Sequence, residues 1–264
     1  MLVELTAFLE KNNLKYILDF GTLLGAIRHK GFIPWDDDID ISMPREDYEK
    51  LYELLKKQDF SLNENFKLAA SKNKYNIYKP IYNIVDITTI TKSSVRKKKY
   101  FYPVWIDIFP YDRVPNDPEF IKKTKAYYVK TQDHATMPIF NSNRKHDFIK
   151  NIYSGIVFPL SKPWLTHFNK KMSNITKNNP NGKYFDFSVD LMYHDDKDID
   201  ITKMTYDESL FSDYIYKTFE SKKFRVPKDY DRRLKDCYGD YMKLPPKEKQ
   251  IPHFVSAYYL DKEK

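Results

Sequence analysis

The chain has 264 residues, 41% of them hydrophobic and 31% charged, a balance that excludes a disordered protein and allows a sizeable core. A single cysteine, Cys237, excludes both an internal disulfide and a zinc site built from several cysteines. The formal charge of +8 favours anionic partners, but the sequence has no recognised nucleic-acid-binding motif, so we expect no nucleic-acid partner.

Helix and strand patterns alternate through the first half of the chain and helix patterns dominate the second, which predicts an α+β fold. The predicted elements are, in chain order, a helix at 2–11, a strand at 14–20, a turn at 21–22, a helix at 23–28, a strand at 38–42, a helix at 44–57, one or two strands within 75–90, a strand at 104–109 ended by Pro110, and a helix at 119–130.

The remaining residues give weaker signals. Residues 141–183 have a faint helical pattern, and turn signals follow at 238–240 and 244–246. We therefore expect one domain over 1–264, with a strand-rich catalytic core at about 1–118 and a helix-rich part at about 119–264.

An acidic cluster in the first half is the strongest chemical signal. Asp38 and Asp40 alternate with isoleucines, so on a strand both carboxylates face the same side, about 7 Å apart. The neighbouring Asp36 and Asp37 are also acidic, and a solvated loop is the simpler interpretation for these two. A calcium loop is disfavoured, because Ile41 takes the place where such a loop requires glycine.

A third acid has the same local pattern. Asp107 lies between Ile106 and Ile108 in a predicted strand, and a buried carboxylate is costly unless it is paired or binds a metal. Three oxygen ligands at Asp38, Asp40 and Asp107 favour Mg²⁺ or Mn²⁺ as the cofactor.

Candidate phosphate-binding residues come before the acids. Gly21 and Thr22 follow a predicted buried strand, where glycine allows phosphate to approach the backbone and the next helix offers free N–H groups. Arg28, His29 and Lys30 would add positive charge for a diphosphate, although a basic surface turn remains an alternative.

Three segments resemble the LicD family of phosphotransferases, in the family's order. They are FGTLLGAIRHKGFIPWDDDIDISMPREDY at 20–48, WIDIFPYDRVP at 105–115 and YGDYMKLPP at 238–246. The resemblance implies a nucleotidyltransferase-like mixed sheet flanked by helices. It also implies that Asp38, Asp40 and Asp107 hold the metal, because they match the family's acid-x-acid and later single acid.

The resemblance further implies the reaction. Bacterial LicD proteins are associated with moving phosphocholine from CDP-choline to sugar hydroxyls of teichoic acid or lipopolysaccharide, and relatives resembling fukutin use CDP-ribitol. The lysine- and tyrosine-rich, glycine-poor composition is typical of a low-GC bacterium, which favours a lipid-linked teichoic acid precursor as acceptor. Asp107 is the first candidate for the general base and Asp37 the second.

Alternatives remain open at this point. They are another CDP-alcohol donor, a glycosyltransferase with an Asp-x-Asp metal site, and a non-catalytic module that binds choline or a polyanion. Trp35, Tyr102 and Trp105 lie near the acids in sequence and are candidates for an aromatic cage around choline, although aromatic residues beside strands are more often core.

Location is predicted from two features. The N-terminus lacks a secretory pattern and no apolar run approaches the roughly 18 residues needed to span a bilayer, so we expect a cytoplasmic protein. Residues 141–183 carry eight basic residues and one acid, a surface suited to peripheral contact with an anionic membrane. Residues 151–168 predict a core helix interrupted by Pro159 and Pro163, or an interfacial segment.

Overall fold

The structure is a computed structural model that describes residues 1–71, 73–75, 80–92, 102–136, 147–187, 204–250 and 256–260. The helices are α1 (Leu2–Lys11), α2 (Phe20–Arg28), α3 (Arg45–Lys56), α4 (Pro118–Thr136), α5 (Asp147–Asn178), α6 (Ser209–Ser212) and α7 (Tyr230–Tyr238). The strands are β1 (Ile17–Leu18), β2 (Asp40–Pro44), β3 (Phe66–Ala69), β4 (Tyr82–Asp86), β5 (Thr89–Lys92), β6 (Val104–Val114), β7 (Lys183–Phe185), β8 (Tyr214–Phe219), β9 (Lys222–Pro227) and β10 (Ser256–Tyr259).

A mixed sheet forms the centre of the molecule. Its strand order is β1-β2-β6-β4-β3, and β7 continues the pairing along β6. Only β2 and β6 run parallel, while the other pairs in this sheet are antiparallel. Helices α3 and α5 pack on the sheet, and α2 packs against β2, so the predicted α+β class is confirmed.

The apolar periodicity explains the first elements. α1 buries Leu2, Leu5 and Leu9 on one face, and α3 buries Leu51 and Leu55. These side chains join one core cluster with the isoleucines of β2 and β6. The acids of the alternating segments are thereby turned away from this core, toward the opposite side of their strands.

Strand β6 differs from its prediction because it does not end at Pro110. It runs to Val114, so the predicted strand end is wrong. The backbone N–H of Asp107 points to β2, and by alternation the nitrogen of Pro110 points to the other side. There, pairing with β4 stops at Ile108 and pairing with β7 begins at Asp112, so the missing N–H costs no ladder hydrogen bond.

Helix α5 also differs from its prediction. It is continuous from 147 to 178, so the predicted interruption at Pro159 and Pro163 is wrong. Beyond the prolines, α5 buries Leu165, Phe168 and Met172, and this packing offsets the backbone hydrogen bonds that the prolines remove. Of the basic segment predicted at 141–183, residues 141–146 lie outside the described residues.

Smaller differences concern the ends of elements. β1 is a two-residue strand, and α2 begins at Phe20, so Gly21 and Thr22 lie in its first turn rather than in a turn before it. Phe20 itself has a positive φ of 47°, a strained conformation at the junction of β1 and α2. Strand β3 was not predicted, and β7 to β10 show that the part after residue 119 contains strands as well as helices.

Two buried ion pairs join distant parts of the chain. The guanidinium of Arg233 in α7 donates to both carboxylate oxygens of Asp19, at 2.8 and 3.1 Å. Arg45 donates to both oxygens of Asp112 in β6, at 2.7 and 2.8 Å. All four side chains are at most 3% exposed, and Tyr111 donates a further hydrogen bond to Asp19 at 3.0 Å. Each carboxylate is therefore neutralised and positioned by the fold itself.

Within the described part of the chain, no helix combines the length and the apolar character needed to cross a bilayer.

Candidate active site

Three carboxylates meet where β2 and β6 run side by side. The parallel register pairs Asp40 with Asp107, and Asp38 lies just before β2. One oxygen from each of the three side chains lies within 4.8 Å of the others. Asp40 and Asp107 are 2% and 5% exposed, so two of the three negative charges are buried. The predicted convergence of these acids is present in the structure.

Backbone hydrogen bonds fix this arrangement. The N–H of Asp40 donates to the hydroxyl of Thr22 at 2.8 Å, and the N–H of Asp107 donates to the carbonyl of Ile39 at 2.9 Å. The N–H of Asp19 donates to the carbonyl of Asp40 at 3.2 Å. The start of β2 is therefore held from both neighbouring elements, α2 and β6, which limits movement of the two acids.

Asn83 is a site residue that the sequence did not reveal. It pairs with Asp107 across β4 and β6, is fully buried, and donates from its side-chain nitrogen to an oxygen of Asp107. The side-chain oxygen of Asn83 is buried without a hydrogen-bond partner in the described structure. A buried, unsatisfied oxygen is costly, and a cation beside Asp107 would satisfy it.

The donor set fits a hard divalent cation. Carboxylate oxygens are the ligands that Mg²⁺ and Mn²⁺ prefer, and the separation of the three oxygens lets one ion reach all of them. The buried amide oxygen of Asn83 adds a further oxygen next to the set. We conclude that the residues at this site are chemically suited to such an ion.

A cavity of about 910 Å³ opens beside the three acids, and we call it the main cavity. This volume matches the upper range of small-molecule sites. The main cavity is bounded by the start of α2, the loop that carries Asp36 and Asp38, strand β6 and the segment after α7. Its lining includes Phe20, Gly21, Leu24, Arg28, Trp35, Asp36, Asp38, Asp40, Asp107, Phe109, Tyr238, Asp240, Tyr241, Lys243 and Lys249.

The predicted phosphate-binding residues divide into two groups. Gly21 and Arg28 line the main cavity, whereas Thr22, His29 and Lys30 are not among its lining residues. Thr22 is 2% exposed and uses its hydroxyl to hold Asp40. Partial burial and the charge of Arg28 lower the pKa of His29, which favours its neutral form. Of the five predicted phosphate-binding residues, Gly21 and Arg28 are therefore the two that border the main cavity.

Gly21 has a second role, in packing. A Cβ at this position would lie 2.3 Å from a carboxylate oxygen of Asp36, so the glycine makes room for that side chain. Burial raises the pKa of Asp36 to about 8, and the charges of Asp38 and Asp37 add to the effect. The prediction of a solvated loop is therefore too simple for Asp36, which is a partly buried member of the cluster.

Aromatic side chains form part of the main cavity. Trp35, one of the aromatic residues predicted for a choline cage, lines the main cavity. Tyr238 and Tyr241 also line it, although they were not predicted as cage residues. Burial raises the pKa of Tyr238 well above its ordinary value, and Asp40 and Asp36 contribute, so the phenol lies near the acids. The signal for these tyrosines was the YGDYMKLPP segment.

A second, smaller cavity of about 200 Å³ lies next to Asp38. Its lining residues are Asp37, Asp38, Thr91, Val104, Trp105, Ser256 and Ala257. Trp105 therefore borders the second cavity, not the main one, and the second candidate base, Asp37, borders it too. Tyr102, the third aromatic residue predicted for a cage, packs edge-on against Trp105 at 6.2 Å between ring centroids.

Comparison with known proteins agrees with this geometry. Residues 13–163 match the family described as LicD/FKTN/FKRP, nucleotidyltransferase domain. Together with the mixed sheet and the three convergent acids, the match defines a protein of the nucleotidyltransferase-domain class. The chain is 32% identical to the lipopolysaccharide cholinephosphotransferase LicD of Haemophilus influenzae, over 96% of this chain and 92% of the relative. The chain belongs to the LicD family.

Two further relatives match a smaller part of the chain. An uncharacterised protein of Rickettsia prowazekii is 32% identical over 62% of this chain and 59% of the relative. One of Rickettsia typhi is 33% identical over 62% of this chain and 50% of the relative.

Proposed function

We propose that this protein transfers phosphocholine from CDP-choline to a sugar hydroxyl of a cell-surface glycopolymer precursor, with a teichoic acid precursor as the favoured acceptor. The observation that carries the proposal is the meeting of three carboxylates within 4.8 Å at the wall of a cavity large enough for a nucleotide. The relative from Haemophilus influenzae, named a cholinephosphotransferase, supports the choice of transferred group.

The transfer breaks the phosphoanhydride bond of CDP-choline and forms a phosphoester bond to the acceptor, so that phosphocholine is joined to the sugar as a phosphodiester. The acceptor oxygen forms a bond to the phosphorus of the phosphocholine group, the bond from that phosphorus to the CMP oxygen breaks, and CMP leaves with the electron pair. The hydroxyl proton passes to a carboxylate, for which Asp107 is the first candidate and Asp37 the second. Mg²⁺ or Mn²⁺ held by Asp38, Asp40 and Asp107 would neutralise the diphosphate and the charge that develops on CMP.

The protein itself would bind and orient the donor. Arg28 lies at the cavity wall, and its guanidinium donates to the carbonyl of Tyr241 at 2.6 Å, which fixes a positive charge opposite the acids. A quaternary ammonium is attracted to aromatic faces and to nearby carboxylates. Trp35, Tyr241 and Asp240 offer both in the same cavity.

The test is product analysis by mass spectrometry after incubation with CDP-choline, CDP-ribitol and other CDP-alcohols in turn, in the presence of a glycan acceptor and Mg²⁺ or Mn²⁺. We expect phosphocholine transfer, lost in EDTA and restored by the metal. Preference for a different CDP-alcohol would replace choline by that alcohol, and transfer of a sugar would favour a glycosyltransferase.

A pair of variants separates a catalytic site from an incidental acidic cluster. Asp38→Ala and Asp40→Ala should abolish transfer, while Asp59→Ala, which removes an exposed carboxylate paired with Lys74, should leave it unchanged. If either of the first two variants retains more than about a tenth of the wild-type rate, the proposed metal ligands are wrong.

A lipid-linked acceptor would require contact with a membrane. α5 and the start of β7 carry exposed lysines, and Leu160 and Trp164 of α5 are also exposed, by 46% and 37%. The lysines are Lys162, Lys170, Lys171, Lys177 and Lys183. We infer that the protein lies in the cytoplasm and contacts the inner face of the membrane through this surface, because basic and apolar groups together favour binding to anionic bilayers. Sedimentation with liposomes that shows no dependence on anionic lipid would contradict it.

A further inference from the structure

The two cavities beside the acids share one wall. Asp38 lines both, whereas Asp40 and Asp107 line the main cavity and Asp37 lines the second cavity. The carboxylate cluster is therefore approached from two sides. A transfer between two substrates needs such an arrangement, because the attacking and leaving oxygens lie on opposite sides of the phosphorus.

The second cavity has a composition of its own. The aromatic ring of Trp105, together with Val104, gives it an apolar wall, and Thr91 and Ser256 place hydroxyl groups beside that wall. Asp37 and Asp38 complete the lining with acidic residues. Such a mixture of a flat apolar surface and hydrogen-bonding groups matches a sugar ring, which has an apolar C–H face and a rim of hydroxyls.

The walls of the second cavity are held in place by the fold. Thr91 is 5% exposed, and both its backbone N–H and its hydroxyl donate to the carbonyl of Tyr102, at 2.7 and 2.8 Å. Ser256 pairs with Lys92 across β5 and β10, and its hydroxyl bonds to the phenol oxygen of Tyr258 at 2.9 Å. The cavity is thus preformed between the β5–β10 pair and β6, and the hydrogen bonds of the buried Thr91 fix one of its walls.

Size distinguishes the two cavities. The main cavity, about 910 Å³, has room for a nucleoside diphosphate with its attached alcohol, whereas the second, about 200 Å³, has room for little more than one sugar ring. We propose that the second cavity is the acceptor subsite, and that a single saccharide ring lies against Trp105 with its reacting hydroxyl directed toward Asp37 and Asp38. This inference rests on the proposed function and adds the position and chemical class of the acceptor.

The test closes the second cavity and leaves the main cavity intact. Ala257 is exposed on β10 and lines the second cavity, so Ala257→Trp should fill its mouth without disturbing the core. Tyr259→Trp is the matched control, since it places the same side chain on the same strand at a position 81% exposed that is not among the lining residues.

Three readouts are compared in wild type and variants. They are binding of CDP-choline by titration calorimetry, metal-dependent CMP release to water without acceptor, and phosphocholine transfer to methyl glycosides of common hexoses and N-acetylhexosamines. For Ala257→Trp we expect at least about a tenfold loss of transfer, because misplacement of a reacting group is costly, with donor binding and CMP release within about twofold of wild type. The control should resemble wild type in all three.

A binding measurement provides a readout apart from activity. The indole N–H signal of Trp105, assigned through Trp105→Phe, should shift in an NMR titration with the methyl glycosides and should not shift in Ala257→Trp. The inference is overturned if Ala257→Trp transfers as well as wild type, if no methyl glycoside is an acceptor, or if the Trp105 signal does not move. Failure of the proposed function looks different, because wild type would then neither bind CDP-choline nor release CMP.

Discussion

Two sets of buried aspartates lie in or next to the central sheet and are held in opposite ways. Asp19 and Asp112 each receive two hydrogen bonds from a buried arginine, so their charge is cancelled within the fold. Asp40 and Asp107 instead face each other and Asp38, which concentrates negative charge at a cavity wall. The residue type and the burial are the same in both sets. The partner decides whether a carboxylate serves stability or the binding of a cation.

The largest effect is expected when an arginine is removed from the first set. Arg233→Met leaves the carboxylate of Asp19 buried without its guanidinium, and we expect the free energy of unfolding to fall by about 3–5 kcal/mol. Urea denaturation measures this change. The neighbouring Arg232→Met is the control, because Arg232 is about half exposed and should contribute less than about 1 kcal/mol. A small effect of Arg233→Met would remove the distinction between the two sets.

The second prediction is that replacing a carboxylate at the cavity does not lower the free energy of unfolding. In EDTA, Asp40→Asn removes one of several like charges, so we expect the free energy of unfolding to stay the same or rise by about 1 kcal/mol, although transfer is lost. Asp19→Asn should instead lower it. Mg²⁺ at about 100 times its dissociation constant should stabilise wild type by about 2.7 kcal/mol and Asp40→Asn by much less. Equal destabilisation by both variants in EDTA would mean that the acids at the cavity are structural.

A third prediction concerns Asn83, which we place as a positioning residue for Asp107. Asn83→Ala should weaken metal affinity by about 10–100-fold, because the amide that orients Asp107 is lost. Calorimetric titration of Mn²⁺ into the protein measures this directly, without turnover. Asn12→Ala, which removes an amide at the end of α1, should leave the affinity unchanged. Unchanged affinity in Asn83→Ala would assign the amide to packing alone.

The last prediction is a pH dependence that arises from Asp36. Its folded-state pKa of about 8 exceeds the ordinary value of 3.8, so between these values the folded protein binds more protons than the unfolded chain. The free energy of unfolding therefore falls as the pH rises toward 8. In EDTA, Asp36→Asn should melt above wild type at pH 8 and almost together with it near pH 4, with a gap in the free energy of unfolding that widens by up to about 1.4 kcal/mol per pH unit between these values. Parallel melting curves across this range would show that Asp36 is ionised throughout.

The sequence predicted the acids well because their signal is local. Alternation of Asp38, Asp40 and Asp107 with isoleucine specifies which face each carboxylate takes, whatever the neighbouring strand is. Asn83 gave no such signal, since it lies in an aromatic and β-branched run where its partner depends on sheet register. Helices α1, α3 and α4 were also predicted from apolar period and end signals, whereas α5 was predicted as interrupted. Pro110 led to a wrong strand end, because a strand end and a gap between two partner strands look alike in sequence.

The buried ion pairs and the cavity walls depend on contacts between distant segments, which local sequence patterns do not reveal. Asp19 and Arg233 are 214 positions apart, so no local pattern could identify them as partners. The C-terminal wall of the main cavity also lacks a local signal, because only the segment YGDYMKLPP, which resembles the family, indicated that Tyr241 belongs to the site. Cavities are made by the meeting of such segments, so their volumes and borders were outside the reach of the sequence.

The long separation between Asp19 and Arg233 has a consequence for synthesis of the protein on the ribosome. The junction of β1 and α2, which carries the strained Phe20, emerges early, yet its guanidinium partner is among the later residues to leave the exit tunnel. Contacts of such high sequence separation form slowly, since a long loop must close first. A nascent chain should therefore already contain all three acids but be unable to bind nucleotide until α7 has packed against the core. Nucleotide binding would then indicate that the whole fold is complete.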